Sequence, residues 1–415
     1  MHHVVIGAGP AGVTACETLR QLDTAARISL ISGEPEPPYS RMAIPYLLVD
    51  AIKENGTYLR KSENYFPDHK IDIHHVSVTA VNPDDRSISF ENGNSLDYDR
   101  LLIATGASPI QPPITGIDLP GVHQCWTLQD ARAIAARARP GTSVVLVGAG
   151  FIGCIILEAL VTRGCQLTVV EREDRMVPRM LNNTAGGLLK RWCENLGVTI
   201  LTNTAVNKIE QKGKKLSVNL DNGDAIAAGL VITAAGVKSN IDFLAGSNIN
   251  TDQGILVDQY LQSNQQGVFA AGDVAQGRDF TAGGFAVQAI QPTAVEHGRI
   301  AATNMVKPNS LSYPGSLNMN VLDTLGLISI SFGQWLGNAD GDCAELLDDA
   351  QYRYLNLQFD GEYLTGASSL GHTQHMGVLR GLIRSRVPLG IWKKRLMDDP
   401  TRLMEAYLGT VQSMV

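Results

Sequence analysis

Residues 4–12, Val-Val-Ile-Gly-Ala-Gly-Pro-Ala-Gly, decide how this chain folds. Three apolar residues make a short buried strand, Gly7, Gly9 and Gly12 form a G-x-G-x-x-G turn, and residues 13–22 read as a helix. Each glycine has its own task. Gly7 makes the tight turn, Gly9 lets backbone approach a pyrophosphate, and Gly12 lets helix and strand pack closely. With Pro10 and Ala11 between them, they leave phosphates on the free N–H groups of a helix N-terminus. A second strand over 28–32 leads to Glu34, about where a ribose hydroxyl ligand is expected. The pattern predicts dinucleotide binding.

The pattern then recurs. Residues 143–147 are apolar, and Gly148, Gly150 and Gly153 repeat the spacing, with Phe151 and Ile152 between the last two glycines as further expected cofactor-binding residues. A helical run over 155–162 and a strand over 166–170 follow, closed by Glu171. Two fingerprints imply two dinucleotides, most naturally one bound flavin and one exchanging nicotinamide. Glu171 is expected to accept from the adenosine ribose and to repel a 2′-phosphate, favouring NAD(H) over NADP(H). Arg172, next to it, is the feature that argues the other way.

At 415 residues and 44% hydrophobic, the chain can fill about three cores. Its net charge of −7 argues against nucleic-acid binding, which needs a basic face. No apolar run reaches the length of a membrane span. The first strand begins within three residues of Met1, which leaves no room for a signal peptide. The six cysteines include no C-x-x-C pair, so a reducing, cytoplasmic setting is expected.

Along the chain, residues 35–49 form a proline-rich loop carrying Tyr39 and Arg41, placed where a flavin's diphosphate and ring would extend. Asn92-Gly93 marks a turn, and a strand over 98–104 ends in the small residues Ala104, Thr105 and Gly106. The second unit contains a helix over 130–138, a hairpin turning at Asn222-Gly223, and an apolar echo over 230–236 ending at Gly236. A strand over 268–273 closes on Gly272 and Asp273, and Asp273 is expected to accept from a ribityl hydroxyl. Gln291, Pro292 and Thr293 are read as preceding a helix aimed at the flavin's N1–O2 edge, where its dipole favours an anionic reduced ring. From about 317 the texture changes, with strands expected over 321–332 and 351–357, a turn at Asp360-Gly361, and a helix over 375–386. His372 and His375 have helical spacing but no evident third ligand, so no metal is expected. The basic residues from Arg380 to Arg395 suit either a solvated face or the steering of an acidic partner.

The paired fingerprints, LLIATGASP over 101–109 and VFAAGDVA over 268–275, give the sequence a resemblance to flavoproteins with two dinucleotide-binding domains. Within these it is most similar to the NADH-dependent reductases of rubredoxin and ferredoxin and to the flavin portion of assimilatory nitrite reductases. The resemblance implies an α/β fold with two Rossmann-like domains of glutathione-reductase type and a C-terminal α+β interface domain. The implied boundaries are 1–112 and 241–315 for FAD, 113–240 for NAD(H), and 316–415 for the interface domain. It further implies hydride transfer from NADH to FAD, electron delivery to an iron–sulfur protein or partner subunit, and a homodimer.

Two positions depart from relatives of known chemistry. Relatives that reduce disulfides or peroxide carry a reactive cysteine where this chain has Met42, and a thioether cannot do thiolate chemistry. Rubredoxin-reductase-like members place a lysine near the flavin and a glutamate on the second fingerprint's helix. Those catalytic-site positions read Tyr46 and Ile155 here. Losing both partners of a buried pair can be neutral where losing one costs about 3–5 kcal/mol. A quinone-like small acceptor, or NADH sensing without turnover, are the alternatives.

Overall fold

The computed structural model describes residues 1–411 and divides into two compact units, Met1–Ser108 with Val237–Ser316, and Pro109–Gly236 with the described residues from Leu317 onward. In the first unit five parallel strands lie in the order Val268–Ala270, Arg100–Ile103, His2–Ile6, Arg27–Ser32, Ile71–His75. Parallel strands are covered on both faces, so they read as unbroken apolar runs. Val4, Val5, Leu101, Leu102 and Ile103 are accordingly fully buried. The chain leaves His2–Ile6 first to one side and later returns on the other. The crevice at such a switch point is where ligands bind in open α/β sheets.

The second unit repeats this plan. Its parallel strands run Thr199–Leu201, Gln166–Val170, Ser143–Val147, Leu230–Thr233, Val122–Gln124. Each unit also carries a three-stranded antiparallel meander, Val78–Asn82 to Ser95–Asp97 in the first and Val206–Lys212 to Ala225–Ala228 in the second. The Asn222-Gly223 turn lies between the last two strands of the second meander.

The remainder of the second unit is a five-stranded antiparallel sheet with the helices Met376–Ser385, Ile391–Asp398 and Leu403–Val411. The single strand expected over 321–332 is in fact a hairpin, Met319–Thr324 and Leu327–Gly333. It is broken at Leu325 and Gly326, both at positive φ. The apolar residues on either side of that turn disguised it as one run. This sheet packs on the half that carries the parallel strands through the helix Asn183–Asn195. Trp192 meets the Tyr352 ring edge-on, Asn195 donates to the Tyr352 hydroxyl at 2.6 Å, and Arg191 pairs with Asp349.

Other boundaries shift modestly. The first helix begins at Pro10 and the expected 375–386 helix spans Met376–Ser385, with His375 outside it at φ +61°. The strand expected over 268–273 stops at Ala270, and Gly272–Val274 turn tightly instead. Gln291, Pro292 and Thr293 do not precede the helix. They are its first turn, Gln291–Val306, because proline fits the first helical positions, where its missing N–H costs nothing. No described helix is long and apolar enough to cross a membrane.

Candidate functional site

The first cradle is built by steric exclusion. Gly7 has φ +111°, and a Cβ there would fall 2.1 Å from the Ala104 carbonyl oxygen. A Cβ at Gly12 would fall 1.9 Å from the Gly7 oxygen, so both positions admit only glycine. Gly9 is different: a Cβ there meets nothing within 4 Å. Its missing side chain is room left above the helix N-terminus, the space a diphosphate requires.

Capping points the same way. The helix Leu128–Arg137 is closed by a Thr127–Asp130 capping box, and Asn182 caps Asn183–Asn195 by accepting from the Ala185 N–H. The helices Pro10–Leu22, Phe151–Thr162 and Gln291–Val306 have no side-chain cap. Met376–Ser385 and Ile391–Asp398 lack one too, so a missing cap leaves first-turn N–H groups open to a ligand or water without by itself marking a site.

Around the first cradle, Glu34 is gripped by Arg41 at 2.5 Å and by the Tyr39 hydroxyl at 2.6 Å, while Arg41 also donates to that hydroxyl. The loop carrying these groups is tied down by Ser40, which donates to Gln291, and by its N–H to the Thr57 carbonyl. Ala104 donates to the Ile6 carbonyl, and Thr105 and Gly106 are held by Asn240 through three hydrogen bonds. Asp273 follows Gly272 at the strand's end. Burial raises its carboxyl above the usual range, and Arg41 partly opposes this. Pro292 is exposed and Thr293 buried in the first turn of the third uncapped helix. Tyr46 is 60% exposed and Met42 is exposed beside it in sequence.

Sequence reasoning missed Asn240 and His297. His297 is 2% exposed, and its Nδ1 accepts the Gly272 N–H at 3.4 Å. Its ring meets the Tyr313 ring edge-on, and burial lowers its pKa to about 4. No motif flags either residue, because each acts through backbone brought in from a distant element.

The second cradle repeats the exclusion. A Cβ at Gly148 would fall 2.5 Å from the Ala234 oxygen, and one at Gly153 would fall 2.2 Å from the Gly148 oxygen. One at Gly150 would meet nothing. Phe151 and Ile152 form the first helical turn, half-buried, with Ile155 on the next turn. Gly236 stands at φ +101° after the strand Leu230–Thr233. Glu171 is buried, and its two carboxylate oxygens accept the N–H groups of Ala149 at 2.6 Å and Glu173 at 2.9 Å. The Ala149 carbonyl accepts in turn from Val177, a β-branched residue held at φ +50°, which is a strained conformation for such a side chain. Among the described residues, no three His, Cys, Asp or Glu side chains gather as a metal site.

The family described as pyridine nucleotide-disulphide oxidoreductase matches residues 1–298. The chain is 30% identical over 402 residues to the NADH-dependent phenylglyoxylate dehydrogenase subunit epsilon of Aromatoleum evansii. That match covers 96% of this chain and 95% of the relative. It is 31% identical to rhodocoxin reductase of Rhodococcus erythropolis, covering 66% of this chain and 65% of that protein. Among solved structures, putidaredoxin reductase in covalent complex with putidaredoxin superposes with a TM-score of 0.88. The coverage is 99% of this chain and 98% of that one, and at 21% identity the likeness is one of fold.

Proposed function

The chain belongs to the pyridine nucleotide-disulphide oxidoreductase family, and on that premise we propose that it is an FAD-dependent NADH oxidoreductase. It passes electrons on to a protein redox partner, an iron–sulfur protein or a partner subunit. The observation that carries this is the pair of cradles of one plan, each with open space above its middle glycine and an uncapped helix beneath. A relative matched over 95% of its length is named as a subunit of an NADH-dependent dehydrogenase, which favours delivery to a protein partner.

We assign FAD to the first cradle, held by Gly7, Gly9, Pro10, Ala11 and Gly12 on its phosphates and by Glu34 on its ribose. Arg41, Ala104, Thr105, Gly106, Gly272, Asp273, Pro292 and Thr293 line the way to its ring. NADH occupies the second cradle, on Gly148, Gly150, Phe151, Ile152 and Gly153, with Glu171 on the adenosine ribose and Gly236 also in the cradle. When bound, the flavin supplies hydride acceptance from the nicotinamide and release of electrons to an acceptor. The protein's share is to hold donor and acceptor at reacting distance, which needs no general base. Tyr46 and Ile155 stand at the positions where relatives carry a lysine and a glutamate, and neither residue is charged. The domain boundaries are read as 1–112 and 241–315 for FAD, 113–240 for NADH and 316–415 for an interface domain that pairs two copies.

The purified chain should be yellow, and NADH should bleach its flavin in stopped-flow mixing at least about tenfold faster than NADPH, because the Glu171 carboxylate would face the 2′-phosphate. An added iron–sulfur protein should then reoxidise it over many turnovers. A flavin that NADH leaves oxidised would overturn the reading.

A further inference from the structure

We propose that Tyr354, on the antiparallel sheet and far in sequence from either fingerprint, is a positioning residue for the pyridine nucleotide. Acting through Asn182, it anchors the loop 172–182, whose Val177 N–H holds the second phosphate loop in its binding conformation. The inference rests on the reading that the second cradle takes a pyridine nucleotide.

The two cradles differ in how their loops are held. Ala149, between the first two glycines of the second cradle, is fixed at both its N–H and its carbonyl. The N–H donates to Glu171, and the carbonyl accepts the Val177 N–H at 2.8 Å and the Cys154 thiol at 3.5 Å. Ala8 holds the same place in the first cradle, and among the described residues no hydrogen bond of this kind reaches it. A resident flavin orders its loop once, but a nucleotide that exchanges at every turnover meets an empty loop each time. Holding that loop in its bound conformation beforehand removes an ordering cost from every encounter.

The residue that holds the loop is itself held. Val177 is buried at φ +50°, a conformation that a β-branched residue keeps only where its surroundings impose it. Part of that restraint is local. The Val177 carbonyl accepts the N–H groups of Met180 and Leu181, and Arg175 donates to the carbonyls of Leu181 and Pro178. The next residue, Asn182, carries the restraint outward. Its side-chain oxygen accepts the Ala185 N–H and caps the helix Asn183–Asn195, while its amide donates to the Tyr354 hydroxyl. Tyr354 is fully buried in the strand Arg353–Asp360, and its hydroxyl has its own hydrogen left for Glu345 on the neighbouring strand. Tyr354, Asn182, Val177 and Ala149 thus join the antiparallel sheet to the phosphate loop within one compact unit.

Calorimetric titration of the FAD-loaded full chain with ADP-ribose tests this without flavin turnover. Tyr354→Phe removes the hydroxyl and leaves the ring in the sheet. It should weaken ADP-ribose by about threefold to tenfold, the net worth of one hydrogen bond. Asn182→Ser keeps a helix cap but is too short to reach Tyr354, and it should weaken binding by the same factor. The double variant should be no weaker than either single one, since both substitutions break the same chain of contacts. With NADH and ferricyanide, KM should rise by that factor while kcat and bound FAD stay at their wild-type values, the mark of lost uniform binding. Wild-type affinity in Tyr354→Phe, or losses that add in the double variant, overturns the proposal. So does a fall in kcat or in bound FAD, which would mean that the fold has loosened generally. If Tyr354→Phe does not fold, the KM-against-kcat split in Asn182→Ser decides alone. Failure of the wild type to bind ADP-ribose at all would instead remove the pyridine-nucleotide reading beneath the proposal.

Discussion

A side chain added at Gly9 separates cofactor retention from folding, because its Cβ would project into open space while those at Gly7 and Gly12 would strike backbone. Gly9→Leu should therefore fold and lose FAD, seen as a collapsed ratio of visible to ultraviolet absorbance beside an unchanged far-ultraviolet spectrum. A fully yellow Gly9→Leu protein would contradict the cradle assignment. The buried histidines make a separate claim at this scale. Burial lowers both His3 and His297 from 6.5 to about 4, so folding favours their neutral forms. The sign follows from proton counting: below about 6.5 the unfolded chain binds protons that the folded chain refuses. Their contribution is complete above that pH and is lost as pH falls towards 4. Denaturation midpoints should drop between pH 6.5 and 4 in the wild type and drop less in His297→Gln.

The two helices Pro10–Leu22 and Gln291–Val306 meet at a spacing that only glycine permits. A Cβ on Gly298 would lie 2.3 Å from the Ala11 carbonyl oxygen, beside the phosphate loop. Gly298→Ala must therefore push one helix away, at a cost of about 1–3 kcal/mol. Thermal melting should show the loss, and the flavin should dissociate more readily, since Ala11 belongs to the cradle. A variant with wild-type melting temperature and flavin affinity would mean that the contact relaxes freely. Gly272 joins the same cluster, since a Cβ there would fall within 3.4 Å of the Ala11 and Ala294 methyl groups. Small residues on three elements thus bring two uncapped helix ends into one crevice.

Across the whole molecule, what becomes of the two electrons depends on the cysteines. All six are free, and Cys16, Cys154 and Cys193 are buried. Burial pushes the Cys125 and Cys193 thiols up to about 12 and raises Cys16, Cys154 and Cys165. Disulfide exchange needs a thiolate, which these settings disfavour. Anaerobic titration should accordingly consume about one NADH per flavin, the capacity of the flavin alone. A variant with all six cysteines replaced should keep its turnover with ferricyanide. A second equivalent of NADH, or loss of turnover in Cys154→Ala with FAD still bound, would show that a thiol takes part.

Local sequence was sufficient for several contacts made within one supersecondary unit. The two strand–turn–helix fingerprints, the Asn222-Gly223 turn and the small residues at Ala104–Gly106 are legible because their constraints are steric and short-range. The hairpin at Leu325-Gly326 was not, because apolar residues flank the turn, and only the pairing of the two halves, with Thr324 opposite Leu327, reveals it. Tertiary structure alone brought His297 to Gly272, Asn240 to Thr105 and Gln291 to Ser40. These partners are 25, 135 and 251 residues apart, and no spacing rule spans such loops. The same holds for the acids of the second cradle. Sequence identified a carboxylate after the strand, but only the folded chain brings the N–H groups of Ala149 and Glu173 onto Glu171.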